Sequence, residues 1–199
     1  MIRKQMRPAI VMTVALCLIT GFAYPGVVTL LARTVFPRQA MGSLVSVQGK
    51  VVGSVLIGQN FTQPWYFHSR PSAAGAGYDA TASSGTNKGP TDRKLADTLI
   101  AGAIDSAVAH DGAVRGKIPG DMVTSSASGL DPDISPANAH LQVARVATAR
   151  GAAAASIQAL VDAHTERRQF GFLGEPHVNV LLLNIALDSA FSRRIAPKP

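Results

Sequence analysis

The chain has 199 residues, of which 47% are hydrophobic and only 16% charged, with a formal net charge of +7; this excludes a disordered polar chain and bounds the protein to one compact domain with an appendage. The charge is uneven: Arg3, Lys4, Arg7, Arg33 and Arg38 stand in positions 1–38 without an acidic residue, and fourteen basic against twelve acidic side chains remain beyond them. That near balance argues against a nucleic-acid partner, which requires a basic patch on the folded surface, and the single Cys17 excludes an internal disulfide or thiolate cluster.

Residues 1–8 form a short basic head, followed by an apolar segment over 9–32. From Pro8 to Ala32 run 25 consecutive uncharged residues, eleven of them Leu, Ile, Val or Phe. As a helix they rise about 37 Å, enough to cross a hydrocarbon core of about 30 Å, so a transmembrane anchor is predicted. Pro25 should bend it. A cleaved signal peptide is the competing reading, with Gly21-Phe22-Ala23 as the small-x-small site and a mature N-terminus near Tyr24. The apolar run continues through Val27, Val28, Leu30 and Leu31, which favours retention. Three basic residues before the span and two after it place the N-terminus in the cytoplasm and the remainder outside.

The soluble part is expected over 39–199. Val- and Leu-rich sequence around Gln48-Gly49-Lys50 predicts a β-hairpin at about 43–47 and 51–57. Then come Trp65, Tyr66, Phe67 and His68, and a long apolar-poor stretch over 69–93, rich in Gly, Ser, Ala and Thr. Two readings stand for it: a loop lying along another protein or a ligand, or a disordered excursion. Thr91 or Asp92 can cap a helix that carries Leu95, Leu99, Ala103, Ile104, Ala107 and Val108 and ends at Asp111-Gly112. A short strand or turn is expected over 118–123. Ser135-Pro136 opens a helix that Gly151 closes; a further helix follows around 156–164, and 171–188 reads as a strand leading into a terminal helix. The fold class is α+β: one N-terminal transmembrane helix, then one mixed α/β soluble domain beginning with the hairpin.

The chain offers little for catalysis. It contains no nucleophile elbow, no phosphate loop and no dinucleotide glycine pattern, and its five histidines lack ligand spacing. The most site-like run is Ser125–Ser128 with Gly129, Asp131 and Asp133, where hydroxyls beside a helix N-terminus could hold an anion; the plainer reading is a loop in which Ser and Asp cap their own backbone. Asp131 and Asp133 also form a carboxylate pair of weak specificity. An anchored extracytoplasmic hydrolase or binding protein, using Ser128 and Asp131, is therefore the alternative to a subunit that docks. On the helix after Pro136, Gln142, Arg145 and Ala149 share a side, read as a solvated or interfacial polar face.

The runs VLIGQNF, WYFHSRPSAA, YDATASSGTNKGPT, TSSASGLDPDISPANAHLQVARVATARG and GEPHVNVLLLNIALD, in this order, resemble the C subunit of the bacterial Kdp high-affinity potassium-transporting P-type ATPase. The resemblance covers nearly the whole chain. It implies a non-catalytic accessory subunit in the inner membrane, assembled with a channel-like potassium-binding subunit, a catalytic P-type subunit and a small membrane peptide, and in contact with membrane lipid. It further implies a chaperone role, raising the ATP affinity of the catalytic subunit, with no cofactor of its own and ATP reached through the complex. By this analogy Gln142 matches a proposed nucleotide contact, with Arg145, Ser128 and Gly129 beside it. Because an extracytoplasmic domain cannot touch cytosolic ATP, either the topology is reversed or the effect passes through the complex. Docking is the reading favoured, with Trp65, Tyr66, Phe67, Arg70, Tyr78 and Asn87 as candidate partner contacts.

Overall fold

A computed structural model describes residues 2–191. The chain falls into two compact units, Met1–Val52 and Gly53–Pro199.

In the first, α1 (Ile2–Leu18) passes through a π-helical turn (Ile19–Ala23) into α2 (Tyr24–Val35). Together they give a helix over Arg3–Val35 that is long and apolar enough to cross a membrane and buries none of its side chains in the protein. Just before Pro25 the helix widens into this turn, where the Tyr24 N–H reaches back five residues to the Ile19 carbonyl. Pro25 has no N–H to offer the ladder, and a π turn is one way a helix absorbs that loss. Thr20 and Thr34 return their hydroxyls to the carbonyls of Leu16 and Leu30, at 2.7 and 3.0 Å, so neither leaves an unpaired donor in apolar surroundings. A short α3 (Pro37–Ala40) follows.

The predicted hairpin is present as β1 (Leu44–Val47) and β2 (Lys50–Ser54), joined by Gln48-Gly49. Both turn residues have positive φ, 51° and 78°, the backbone a two-residue turn needs to match the strand twist.

The second unit is built around the helix that Ser135-Pro136 opens. Asp92 caps the helix predicted after it, accepting from the Lys94 N–H at 2.8 Å; the helix starts with a π-helical stretch (Leu95–Ile100), continues as α4 (Ala101–Asp111) and ends on Gly112 in the left-handed conformation. Residues 118–123, expected as a strand or turn, hold a short helix, α5 (Gly120–Val123). Its Asp121 carboxylate binds the Ser135 N–H and hydroxyl, both at 2.8 Å, and the Asn138 amide at 2.9 Å. A helical turn sets Asp121 against the start of the next helix, and negative charge is favourable there. That helix, α6 (Pro136–Arg150), has the Ser135 cap, Pro136 in its first turn and Gly151 at its end, as the sequence predicts. α7 (Ala154–Ala163) packs against it.

Three short strands, β3 (Asp133–Ile134), β4 (Thr165–Glu166) and β5 (His177–Asn179), make an antiparallel sheet with β5 in the centre. Val178 faces Ile134 on one side and Thr165 on the other. Asn179 ends β5 and caps α8 (Val180–Ala190), accepting from the Leu182 N–H. The core joins Phe67, Ile134, Val143, Val146, Ile157, Val161, Val178, Leu183 and Leu187.

Candidate functional site

Residues 64–68 have no regular structure, yet their backbone is held by side chains from α6 and α8. Asn184 of α8 accepts from the Phe67 N–H and donates to the Phe67 carbonyl, both at 2.9 Å. Gln142 of α6 does the same for His68, at 2.7 and 3.1 Å. One turn on, Arg145 donates to the carbonyls of Pro64 and Tyr66 at 2.6 and 2.8 Å, and Arg150 to that of Trp65 at 2.9 Å. Backbone groups outside secondary structure still require partners; here four side chains substitute for a neighbouring strand.

The side chains that grip are themselves saturated. The Gln142 amide also donates to Asn138 Oδ1 at 2.8 Å and accepts from Arg145 at 2.7 Å. Arg145 pairs with Asp111 at 2.7 Å, and both side chains are almost wholly buried. Arg150 reaches Asp188 and the Phe191 carbonyl at 2.8 Å each, and its guanidinium lies over the Tyr66 ring. The face carrying Gln142 and Arg145 is therefore inside the domain, with Gln142 only 2% exposed, where the sequence pattern reads as solvated or interfacial. Helical spacing sets which residues share a side, but not whether that side meets water or an irregular segment in need of hydrogen bonds.

Of the six candidate docking residues, Phe67 is fully buried and packs the core. Tyr66 and Trp65 are half-buried; the Tyr66 hydroxyl donates to Asp188 at 2.7 Å, while the buried Trp65 Nε1–H has no hydrogen-bond partner among the described residues. Arg70 pairs with Asp131 at 2.7 Å. Tyr78 donates its hydroxyl to the Arg70 carbonyl at 2.8 Å, and burial pushes that phenol up to about 12. Asn87 is exposed, in the left-handed conformation. The stretch 69–93 is thus irregular, as expected, but it lies on its own domain. Ser84 donates its N–H to the Ser128 carbonyl and Ser72 its hydroxyl to that of Gly129, at 2.9 and 2.6 Å.

Ser128 and Gly129 form the far wall of this contact. The Ser126 and Ser128 hydroxyls accept from the N–H groups of Gly129 and Leu130, at 2.9 and 3.1 Å, the self-capping turn that Ser favours. Gly129, at φ 65°, admits no side chain: a Cβ there would lie 2.5 Å from the Ser84 carbonyl oxygen. Among the described residues, no imidazole or carboxylate is hydrogen-bonded to the Ser128 hydroxyl. Asp131 is spent on Arg70, and Asp133 accepts from the Asn179 amide at 2.9 Å. Burial raises the Asp133 carboxyl above its usual range. Among the described residues no group of three or more His, Cys, Asp or Glu could hold a metal ion.

Between residues 60–71, α4 and α6 runs an open cleft of about 410 Å³. His68, Asn138 and Gln142 line its floor and Ser106 and His110 its side. Burial first, then the nearby Arg145 charge, lowers the His68 pKa from 6.5, against the opposing pull of the Gln63 carbonyl 3.0 Å from its Nε2.

An N-terminal helix long and apolar enough to cross a membrane, which fits membrane association, is followed by an α+β domain in which Gln142, Arg145, Arg150 and Asn184 brace the domain's own irregular backbone. The chain belongs to the KdpC family: the model of the K+-transporting ATPase c chain matches residues 6–189. A potassium-transporting ATPase KdpC subunit of Gemmatimonas aurantiaca is 65% identical over 187 residues, covering 94% of this chain and 93% of the relative. KdpC subunits of Koribacter versatilis and Caulobacter vibrioides are 50% and 54% identical, each across 94% of this chain and 95% and 94% of the relative.

Proposed function

We propose that this chain is a non-catalytic accessory subunit of an ATP-driven high-affinity potassium import complex, which it stabilises in assembly. The observation that carries this is the family match across residues 6–189, with relatives named as potassium-transporting ATPase subunits along nearly their full length. Its partners are a channel-like potassium-binding subunit, a catalytic P-type subunit and a small membrane peptide. The apolar helix is a single-pass anchor in the inner membrane with its N-terminus in the cytoplasm, on the basic-residue asymmetry across the span.

The subunit raises the ATP affinity of the catalytic subunit through the complex, without holding the nucleotide. Two observations support this. The soluble domain, on the proposed topology, is on the opposite side of the membrane from ATP. The four residues matched to nucleotide contact also have other work: Gln142 and Arg145 hold residues 64–68, while Ser128 and Gly129 hold the loop at Ser84 and Ser72.

The test is affinity purification from native membranes with a protease-cleavable tag placed after Pro199. Co-purification with a P-type ATPase and cleavage of the tag from outside the cell are expected. A tag protected in intact cells overturns the topology and with it the first of these two supports; isolation as a partnerless chain overturns the assignment as an accessory subunit.

A further inference from the structure

The most exposed apolar residues of the soluble domain are gathered at one tip. After β4 the chain turns back through Gln169–Leu173, where Phe170 is 86% and Phe172 70% exposed, with Leu173 half-exposed beside them. Large apolar side chains grouped on a surface mark interaction sites, whereas scattered ones do not.

The tip is built to hold this shape. Gln169 and Leu173 exchange backbone hydrogen bonds at 2.8 and 2.9 Å, and the Gly171 and Phe172 N–H groups close the turn onto Arg168 and Gln169. Arg168 pairs with Glu175 across its base. Phe170 sits at φ 53°, a conformation unfavourable to a bulky residue, next to Gly171 at φ 83°. Keeping phenylalanine there, exposed and at a conformational cost, has no return within the domain.

We infer that the 169–173 tip anchors the domain on another subunit of the transport complex, its two phenyl rings entering an apolar pocket of that subunit with an acidic group at its rim facing Arg167. The inference rests on the accessory-subunit reading above. The charges around the tip select a protein over a lipid surface. Arg167, Arg168, Glu166 and Glu175, all exposed, leave the tip without net charge, so an anionic bilayer, which attracts net positive segments, exerts no electrostatic pull on it. Aromatic anchors beside Arg, ringed by charge of both signs, are the composition of protein interfaces. A turn already closed by its own hydrogen bonds avoids the ordering cost of binding. Arg167 makes no ion pair among the described residues and is free to meet a carboxylate.

The experiment purifies the complex through a tag on the catalytic subunit, with the wild-type chain, F170G, F172S and the double variant. F170G puts glycine at a positive φ, where it is favoured, so the full-length chain should unfold at an unchanged or higher temperature. Recovery of the double variant with the complex should fall tenfold or more, with membrane levels of the chain unchanged. Recovery equal to wild type overturns the proposal. A loss seen in bilayer discs containing anionic lipid but absent in detergent assigns the tip to lipid and also overturns it. Failure of the wild-type chain itself to co-purify removes the accessory-subunit reading, a result distinct from either.

Discussion

Gln142 clasps His68 by both of its backbone groups, accepting from the N–H at 2.7 Å and donating to the carbonyl at 3.1 Å. A single side-chain amide thereby supplies the pairing that a β-strand would otherwise give, and Asn184 repeats the arrangement on Phe67. The junction between the hairpin and the long loop is fixed from α6 and α8 at once.

Gln142→Ala should lower stability by about 1–3 kcal/mol, the cost of leaving buried polar groups unpaired. Gln142→Glu should cost more, since a carboxylate cannot donate to the His68 carbonyl or to Asn138 Oδ1. Urea unfolding of the full-length chain in detergent measures both. An unchanged midpoint in Gln142→Ala, together with weaker ATP binding by the complex, would remove the structural role.

Arg150 is 3% exposed and serves the Trp65 and Phe191 carbonyls and the Asp188 carboxylate together. Arg150→Ala should cost about 3–5 kcal/mol, as for one partner removed from a buried pair. Arg150→Lys keeps the charge but not the planar fork, and should fall between the variant and wild type in the same unfolding experiment.

Gly129 and Gly112 have nearly equal φ, 65° and 66°, but different surroundings. A Cβ on Gly112 meets nothing within 4 Å, whereas one on Gly129 would lie 2.5 Å from Ser84 O and 2.7 Å from Ala74 N. Gly112→Ala should therefore lose only about 1 kcal/mol, the conformational cost alone. Gly129→Ala must also push the loop off the domain. Limited proteolysis should cut the Gly129→Ala chain between residues 74 and 87 and leave Gly112→Ala intact there; equal resistance would show that the loop does not depend on this contact.

His68 gives the stability of the domain a pH dependence. Its folded pKa lies below the 6.5 of the free side chain, from burial and then Arg145. The unfolded chain therefore takes up the proton first, so stability is full above about pH 6.5 and declines as the pH drops towards the folded value. Asp133 works the other way: its raised carboxyl is destabilising when ionised, and acidification through its folded pKa relieves this. His68→Gln should flatten the decline just below pH 6.5 in unfolding midpoints measured against pH. An unaltered slope would place the titration elsewhere.

Local signals made the helix ends legible. Ser135-Pro136 and Gly151 bracket α6 because capping and the left-handed stop are short-range chemistry, and Gln48-Gly49 marks the hairpin for the same reason. The amide clasps were not legible, because Gln142 and His68 lie 74 residues apart and only the fold brings them together. Arg150 stands just before the Gly151 stop, and nothing in its local spacing marks the distant carbonyls it serves. The tip was hidden by its composition: Phe172 and Leu173 fall in the 171–188 segment read as a strand leading into a helix, but the strand proper is His177–Asn179. Before it the chain closes a local turn, Gln169 pairing with Leu173, in place of an extended strand.

The π turn at Ile19–Ala23 also sets the phasing of the apolar helix. One extra residue in a helical turn rotates everything beyond it by about 100° relative to an unbroken α-helix. The side chains of α2 thus point along different azimuths from those the spacing of α1 would project, and the two halves of the apolar helix can address different neighbours. Shortening the wide turn by one residue would leave length and hydrophobicity almost untouched while swinging Val28 and Leu31 onto a new side of the helix.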